Sequence, residues 1–214
     1  MLKSVRVPTA LESPFARAEE YVEKLFSQMR REPSEGRLLV GDQRYVLMRC
    51  DSLYLAWFDA MAETFGAETA REFMYNTARE IGRADSADFC ERLGVQDGVE
   101  RLSSGPVHFA HAGWALVDIR ADSAPTMNQD YFLHYTHPNT FESEVLKRRG
   151  MRAPQPACLF SAGYSAGWCS EAFRVDVHAR EIRCTAVGDA SCEFIMAPLA
   201  KLDGHELRLL KSQG

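Results

Sequence analysis

No stretch of this 214-residue chain approaches the roughly 20 consecutive apolar residues that a membrane-crossing helix requires, so no membrane contact is expected. The opening MLKSVRVPTALESPF has no apolar run of the kind a secretory leader carries, which makes a cytoplasmic address the expectation. Positive charge is not in excess either: 25 Lys and Arg stand against 30 Asp and Glu, a net charge of -5. A sequence-independent grip on nucleic acid needs clustered cations that displace counterions, so no direct nucleic-acid contact is expected of this chain. The phosphate loop G-x-x-x-x-G-K-[ST] is missing, because GYSAGW lacks both the lysine and the spacing. So are the G-x-S-x-G nucleophile turn and any nicotinamide or flavin signature. No repeat period and no low-complexity segment occurs.

What is present is an ordinary globular composition, 46% hydrophobic and 26% charged. A chain of this length forms one large domain, or one domain with an extension, and buries about 70% of its unfolded surface. Phe15, Ala18, Val22, Leu25, Phe26 and Met29 recur at helical spacing until REPSEG (31–36) interrupts them. GRLLVGDQRYVLMRC reads as two short strands around a Gly41-Asp42 turn. A helix with Asp51 or Ser52 as its N-cap then runs to Gly66, and helical text follows through Phe73, Ala78, Ile81 and Phe89 past Gly82. The second half differs. Residues 106–123 and 130–150 mix aromatic strand text with polar turns, PACLFSAGYSAGWCSEAF reads as a tightly packed helix, and 174–198 reads as a β-meander. The tail from Leu199 starts another helix. Helices first and strands later, with one helix among them, predict an α+β fold in which an antiparallel sheet packs with helices.

Chemistry concentrates in AREIRCTAVGDASCEFIMAP (179–198). A hairpin with a three-residue loop centred on Gly188 and a bulge places Cys184 opposite Cys192, with Cβ atoms about 4.5–5.5 Å apart. Two thiolates on a tetrahedral zinc need sulfurs roughly 3.7 Å apart, which such a hairpin can supply. Two ligands do not hold a structural zinc. The further candidates are Cys158, Cys169, His178, Glu171 and Glu181, and in an unbroken strand Glu181 faces away from Cys184. Spacing leaves open a metal site, a buried structural pair and a disulfide.

The stretch ACLFSAGYSAGWCSEAFRVDVHAREIRCTAVGDASCEFIMAP resembles the 4-vinyl reductase domain, most closely as it occurs in the sensor region of bacterial phenol- and xylene-responsive activators. GRLLVGDQRYVLMRCDSLYLAWFDAMAETFGAETAREFMYNTAREIGRADSADF resembles the N-terminal portion of the same sensors, so the likeness covers about residues 30–200. It implies a 4-vinyl reductase or nitric-oxide-signalling type of ligand-binding fold with an N-terminal helical and hairpin extension. The division it implies is an activator-type region over 1–100, a zinc-containing ligand-binding domain over 101–200 and the start of a linker helix over 201–214. It also implies a structural Zn2+ held by Cys158, Glu181, Cys184 and Cys192, closed to water by four protein ligands. Cys50, Cys90 and Cys169 then remain as small buried apolar residues.

The aromatic lining expected for a small ligand is His108, Phe109, His111, Trp114, Phe132, His134, Phe141, Tyr164 and Trp168, with four of the six histidines falling in 108–137. The resemblance implies a ligand-reading His in a strand after a GP turn, here His108 or His111 in GPVHFAHAGWA, and a Trp where NTFESE has Phe141. A Phe donates no hydrogen bond, which speaks against phenol itself and leaves room for a less polar ligand or a different one. The function expected is a sensory module of transcription regulation that binds a small hydrophobic or aromatic effector. It signals through rearrangement of a homodimer or linker, either as a fragment of a longer regulator or as a separate partner, and is not an enzyme. The alternatives are a tetrapyrrole-related accessory factor or enzyme, and an interaction protein with a vestigial pocket.

Overall fold

The computed structural model describes residues 2–212. After a short edge strand, β1 (Val5–Arg6), helix α1 (Glu12–Ser27) buries Phe15, Ala18 and Val22, the one-sided stripe its spacing predicts. It stops at Ser27, and β2 (Arg30–Glu32) occupies residues that the sequence assigns to the helix end and the break after it. β2, β3 (Arg37–Val40) and β4 (Gln43–Tyr45) make a three-stranded antiparallel sheet where two strands are expected. Gly41 turns the β3–β4 corner at φ 63, a conformation that favours glycine.

Asp51 and Ser52 do not cap a helix. They lie inside a wide helical turn, Asp51–Leu55, that runs into α2 (Ala56–Phe65) without a capping side chain. The Asp51 carboxylate is drawn instead to Arg49, Arg148 and Arg149 at 3.4–3.6 Å. α3 (Ala67–Leu93) runs unbroken through Gly82, because that glycine is where α6 (Leu159–Phe173) crosses. A Cβ at Gly82 would lie 2.1 Å from the Tyr164 carbonyl oxygen. The small-residue text of α6 is thus explained by close helix packing.

Two further helices stand where strand text is expected. α4 (Gly98–His111) starts at Asp97, whose side chain accepts from the Val99 and Glu100 amides, and it carries Pro106 within it. α5 (Phe141–Arg148) is capped by Thr140 through the Ser143 amide, with Glu142 and Glu144 in its first turn and Lys147 and Arg148 in its last. β5 (Val117–Ile119), β6 (Leu133–His137), β7 (His178–Arg183) and β8 (Cys192–Ala197) complete the main sheet, and α7 (Leu199–Ser212) follows.

The sheet order is β1-β5-β6-β8-β7. All pairs are antiparallel except the edge pair of β1 with β5, so the sheet is mixed rather than wholly antiparallel. Strand alternation gives it two faces. Leu133, Tyr135, Phe194 and Met196 join the main core with α3, α4 and α6, whereas Phe132, Ile195 and Ala197 lie beneath α7 with Leu202 and Leu209. The main core takes side chains from Val5 to Met196, and the division expected at residue 100 falls inside α4.

Candidate metal centre and enclosed chamber

Cys184 and Cys192 face the same side of the sheet because of one irregularity. β7 pairs with β8 as Glu181↔Phe194 and then as Arg183↔Glu193, a bulge at Ile182 that shifts the register by one. The bulge turns Glu181 and Cys184 to one face, the re-aiming that an unbroken strand forbids. The connection to β8 is longer than the expected three-residue turn and spans 184–191. It is folded by the Val187, Gly188 and Asp189 amides donating to the Cys184 carbonyl, and by the Cys184 amide donating to Asp189 Oδ2 at 2.7 Å.

The N-cap position of α6 brings Cys158 to this hairpin. Its sulfur lies 3.9 Å from that of Cys184 and 3.6 Å from that of Cys192. A ligand atom from each of Cys158, Glu181, Cys184 and Cys192 lies within 4.8 Å of the others. Sulfurs sharing a tetrahedral zinc are about 3.7 Å apart, so the spacing suits a metal. All six cysteines are free thiols. Glu181 Oε2 accepts the Cys158 amide at 2.8 Å, while its buried Oε1 has no partner among the described residues. An orphaned carboxylate oxygen beside three sulfurs is the donor set a divalent cation satisfies.

The electrostatics agree. Burial pushes the Cys158 thiol well up, and burial followed by the Cys192 sulfur raises Glu181 to about 8. Cys192 alone is held low, by hydrogen bonds from Cys158 and then Cys184. Around the sulfurs stand further donors: the Thr140 hydroxyl is 3.1 Å from Cys158, and the Thr185 amide is 3.4 Å from Cys192. The other ligand candidates lie elsewhere. Cys169 borders the chamber described next, Glu171 pairs with Arg101 at 3.0 Å, and His178 pairs with Asp176 at 3.5 Å.

Further along the same sheet face is an enclosed chamber of about 30 Å3. It is bordered by Leu102, Gly105, Pro106 and Phe109 of α4, by Tyr164, Ser165, Trp168 and Cys169 of α6, and by Val117, Ile119, Leu133, Tyr135 and Met196 of the sheet. Gly105 is required here, since a Cβ would lie 2.7 Å from the Trp168 indole nitrogen. That indole donates to the Arg101 carbonyl at 3.1 Å. Phe109 and Tyr164 stack with ring centres 5.3 Å apart.

Of the nine residues expected to line a pocket, Phe109, Tyr164 and Trp168 border this chamber. Phe132 and His134 point the other way, beneath α7. His205 stacks on Phe132 at 4.2 Å, and His134 bridges Asp122 at 2.9 Å and Glu193 at 2.8 Å. His111 lies outside against Phe26, its ring 5.2 Å away. His108 sits behind Tyr164, on a helix rather than a strand, because Gly105-Pro106 is internal to α4. The Tyr164 hydroxyl donates to Asp85 at 2.8 Å and therefore accepts from His108 Nδ1 at 3.1 Å. Nε2 is left to accept from Tyr45 at 3.4 Å. Burial draws His108 down to about 4, so its imidazole is neutral. Trp114 and Phe141 border a separate open cleft.

Further buried polar atoms with no hydrogen-bond partner among the described residues include the Tyr131 and Tyr135 hydroxyls and both ring nitrogens of His137, which alternate onto one face. Tyr135 borders the chamber. His137 shares its strand face, between the rings of Phe109 at 5.7 Å and Phe194 at 4.6 Å, and pairs across the sheet with Cys192. Each buried unsatisfied group costs about 1–3 kcal/mol, so three such residues on one face mark a place where a fold has been specialised. The sequence signal was there for His137, one of the four clustered histidines, but alternation alone does not say which face of β6 is inward.

The 4-vinyl reductase domain family matches residues 138–198, and the family described as activator of aromatic catabolism matches residues 24–123. The phenol regulator MopR of Acinetobacter guillouiae is 22% identical over 185 residues, which are 86% of this chain and 33% of MopR. The transcriptional regulatory protein XylR of Pseudomonas putida is 22% identical over 177 residues, 82% of this chain and 31% of XylR. The chain thus spans about a third of the length of these relatives, and both are regulators. The crystal structure of the phenol-responsive sensory domain of the transcription activator PoxR with phenol superposes with a TM-score of 0.74 at 20% identity, covering 95% of this chain and 98% of that one. The likeness fixes the fold as that of this sensory domain.

Proposed function

We propose that this chain, in which a 4-vinyl reductase domain follows an activator-of-aromatic-catabolism domain, is an effector-sensing module of a transcriptional regulator. The effector is a small aromatic molecule held in the chamber between α4, α6 and the sheet. The observation that carries this reading is a chamber bordered almost wholly by apolar side chains into which the buried Tyr135 hydroxyl, with Ser165 as its polar neighbour, brings a group able to bond a phenolic oxygen. Phe109, Tyr164 and Trp168 supply ring faces, and Tyr135 supplies a hydrogen bond to a phenolic oxygen. His137 stands next along the strand for a larger substituent. Since Tyr135 supplies what Phe141 does not, phenol itself is accommodated.

Zinc in the Cys158, Glu181, Cys184 and Cys192 cluster would tie the β7–β8 hairpin to the start of α6, with no coordination position left for water. Its role is to brace the wall. From Cys192 to Met196 the strand β8 runs four residues, about 13 Å, linking the metal end to the chamber.

A cavity that takes up benzene is about 150 Å3, and the chamber here is about 30 Å3, so an aromatic guest has to move its walls. That requirement is the signalling step: a guest favours an expanded packing of β6 and α6 over the closed one. On β6, Leu133 and Tyr135 border the chamber, and Phe132 just before it lies under α7, so expansion reaches α7 through one stretch of chain. The readout is a change in α7 or in pairing of two copies.

Calorimetric titration with phenol and with toluene tests the assignment. Phenol binds wild type, and Tyr135→Phe weakens phenol by about tenfold, the worth of one net hydrogen bond, while leaving toluene unchanged. Equal weakening of both ligands, or none, contradicts it. The small volume also favours a second reading, an interaction protein with a vestigial pocket, for which neither ligand binds.

A further inference from the structure

Most residues that border the chamber are buried, so a guest must move a wall, and two walls adjoin open clefts. One cleft, about 420 Å3, is bordered by Tyr45, Asp85 and His108. Behind it the wall is bolted: Tyr164 is held by Asp85 at 2.8 Å and by His108 at 3.1 Å, and Trp168 by the Arg101 carbonyl at 3.1 Å. The other cleft, about 390 Å3, is bordered by Cys50, Ala110, Trp114, Asn139, Phe141 and Arg148, among others. There the partition is the Trp114 ring. Its centre lies 5.2 Å from that of Phe109 and 4.9 Å from that of Tyr164, both chamber residues, and 5.5 Å from that of Phe141 on the cleft side.

Trp114 is built differently from its neighbours. Its backbone is fixed, the amide donating to the Phe109 carbonyl at 3.0 Å and the carbonyl accepting from the Phe141 amide at 3.1 Å. Its indole makes no hydrogen bond among the described residues and is held by ring contacts alone. A side-chain rotation of Trp114 therefore uncovers the cleft side of the Phe109 and Tyr164 rings without breaking a hydrogen bond, whereas the opposite wall requires several to break.

We propose that this cleft is the antechamber through which small aromatic molecules reach the chamber, and that Trp114 is its gate. The proposal rests on the effector reading above. The cleft is large enough for one aromatic ring, and Cys50, Trp114, Phe141 and Val145 give it apolar surface. Asn139, Glu144 and Arg148 make its polar rim.

A gate changes the height of a barrier and not the depth of the well, so it moves association and dissociation rates by the same factor. Stopped-flow binding of phenol, followed by intrinsic fluorescence, separates the two. Trp114→Ala should speed both rates by about tenfold. Asn139→Trp and Ala110→Trp, which fill the cleft from exposed and half-buried positions, should slow both rates and leave Kd unchanged. If phenol binds wild type and the cleft-filling variants keep both rates, the gate is elsewhere and the effector reading stands. The same holds if Trp114→Ala raises only the dissociation rate. If phenol and toluene fail to bind wild type, both proposals fall together.

Discussion

Tyr135 and Cys184 show what single residues contribute and how far a sequence discloses it. The pair Cys184 and Cys192 was legible from spacing, while Cys158 and Glu181 were legible only through the family resemblance, whose specific part is a Glu-x-x-Cys followed eight residues later by Cys, with a further Cys before a glycine-rich helix. Strand alternation argued against Glu181, and only the bulge at Ile182 reconciles it with Cys184. Tyr135 and His137 lay in the stretch rich in rings and histidines, but their place in the site was not legible, because which face of β6 turns inward is a property of surroundings that no residue type reveals. The metal assignment makes a prediction at this scale. Elemental analysis of the purified protein should find about one zinc per chain. Cys184→Ala should lose it, and Cys169→Ala, which alters the chamber border and not the cluster, should keep it. Full zinc retention in Cys184→Ala would contradict the assignment.

Elements tell a different story. α1, α2, α3, α6 and α7 followed from their spacing and glycine stops, and the β7–β8 hairpin from its turn residues. α4 and α5 did not, for identifiable reasons. Gly105 and Pro106 look like turn punctuation, yet the first is there to admit Trp168, and the helix around them is held by burial of Leu102, Val107 and Phe109. The α5 stretch carries end signals at both termini, but they lie between aromatic strand text and a basic run that mask them. The α3–α6 crossing yields the prediction for this scale. A Cβ at Gly163 would lie 2.2 Å from the Tyr75 carbonyl oxygen and one at Gly167 1.9 Å from that of Arg79, contacts that only helix separation relieves. Gly163→Val should destabilise the protein by about 3 kcal/mol or more by urea denaturation, while the same substitution at exposed Gly204, which has no such neighbour, should change stability by less than about 1 kcal/mol, in the stabilising direction that helix propensity gives. Similar losses at both would mean the crossing is not tight.

For the molecule as a whole, the arrangement is a sheet with different tasks on its two faces. One face carries the metal cluster and the chamber in line along β8, and the other carries α7 on Phe132, Ile195 and Ala197. The order of helices then strands was enough for the α+β class, and the small parallel edge of β1 with β5 was beyond it, since two residues carry no periodicity. A chamber this small links occupancy to shape, which is the property a sensor needs. The most direct measurement is the melting temperature of the zinc-loaded protein as phenol is raised. Binding to the folded chain alone stabilises it by RT ln(1 + [L]/Kd), about 2.7 kcal/mol at a hundred times Kd, which for a chain of this size is roughly 5–11 °C. A midpoint that climbs with the logarithm of phenol concentration, and climbs less in Tyr135→Phe, is the expected result. A midpoint that stays flat through phenol, cresols, toluene and xylenes would contradict the account.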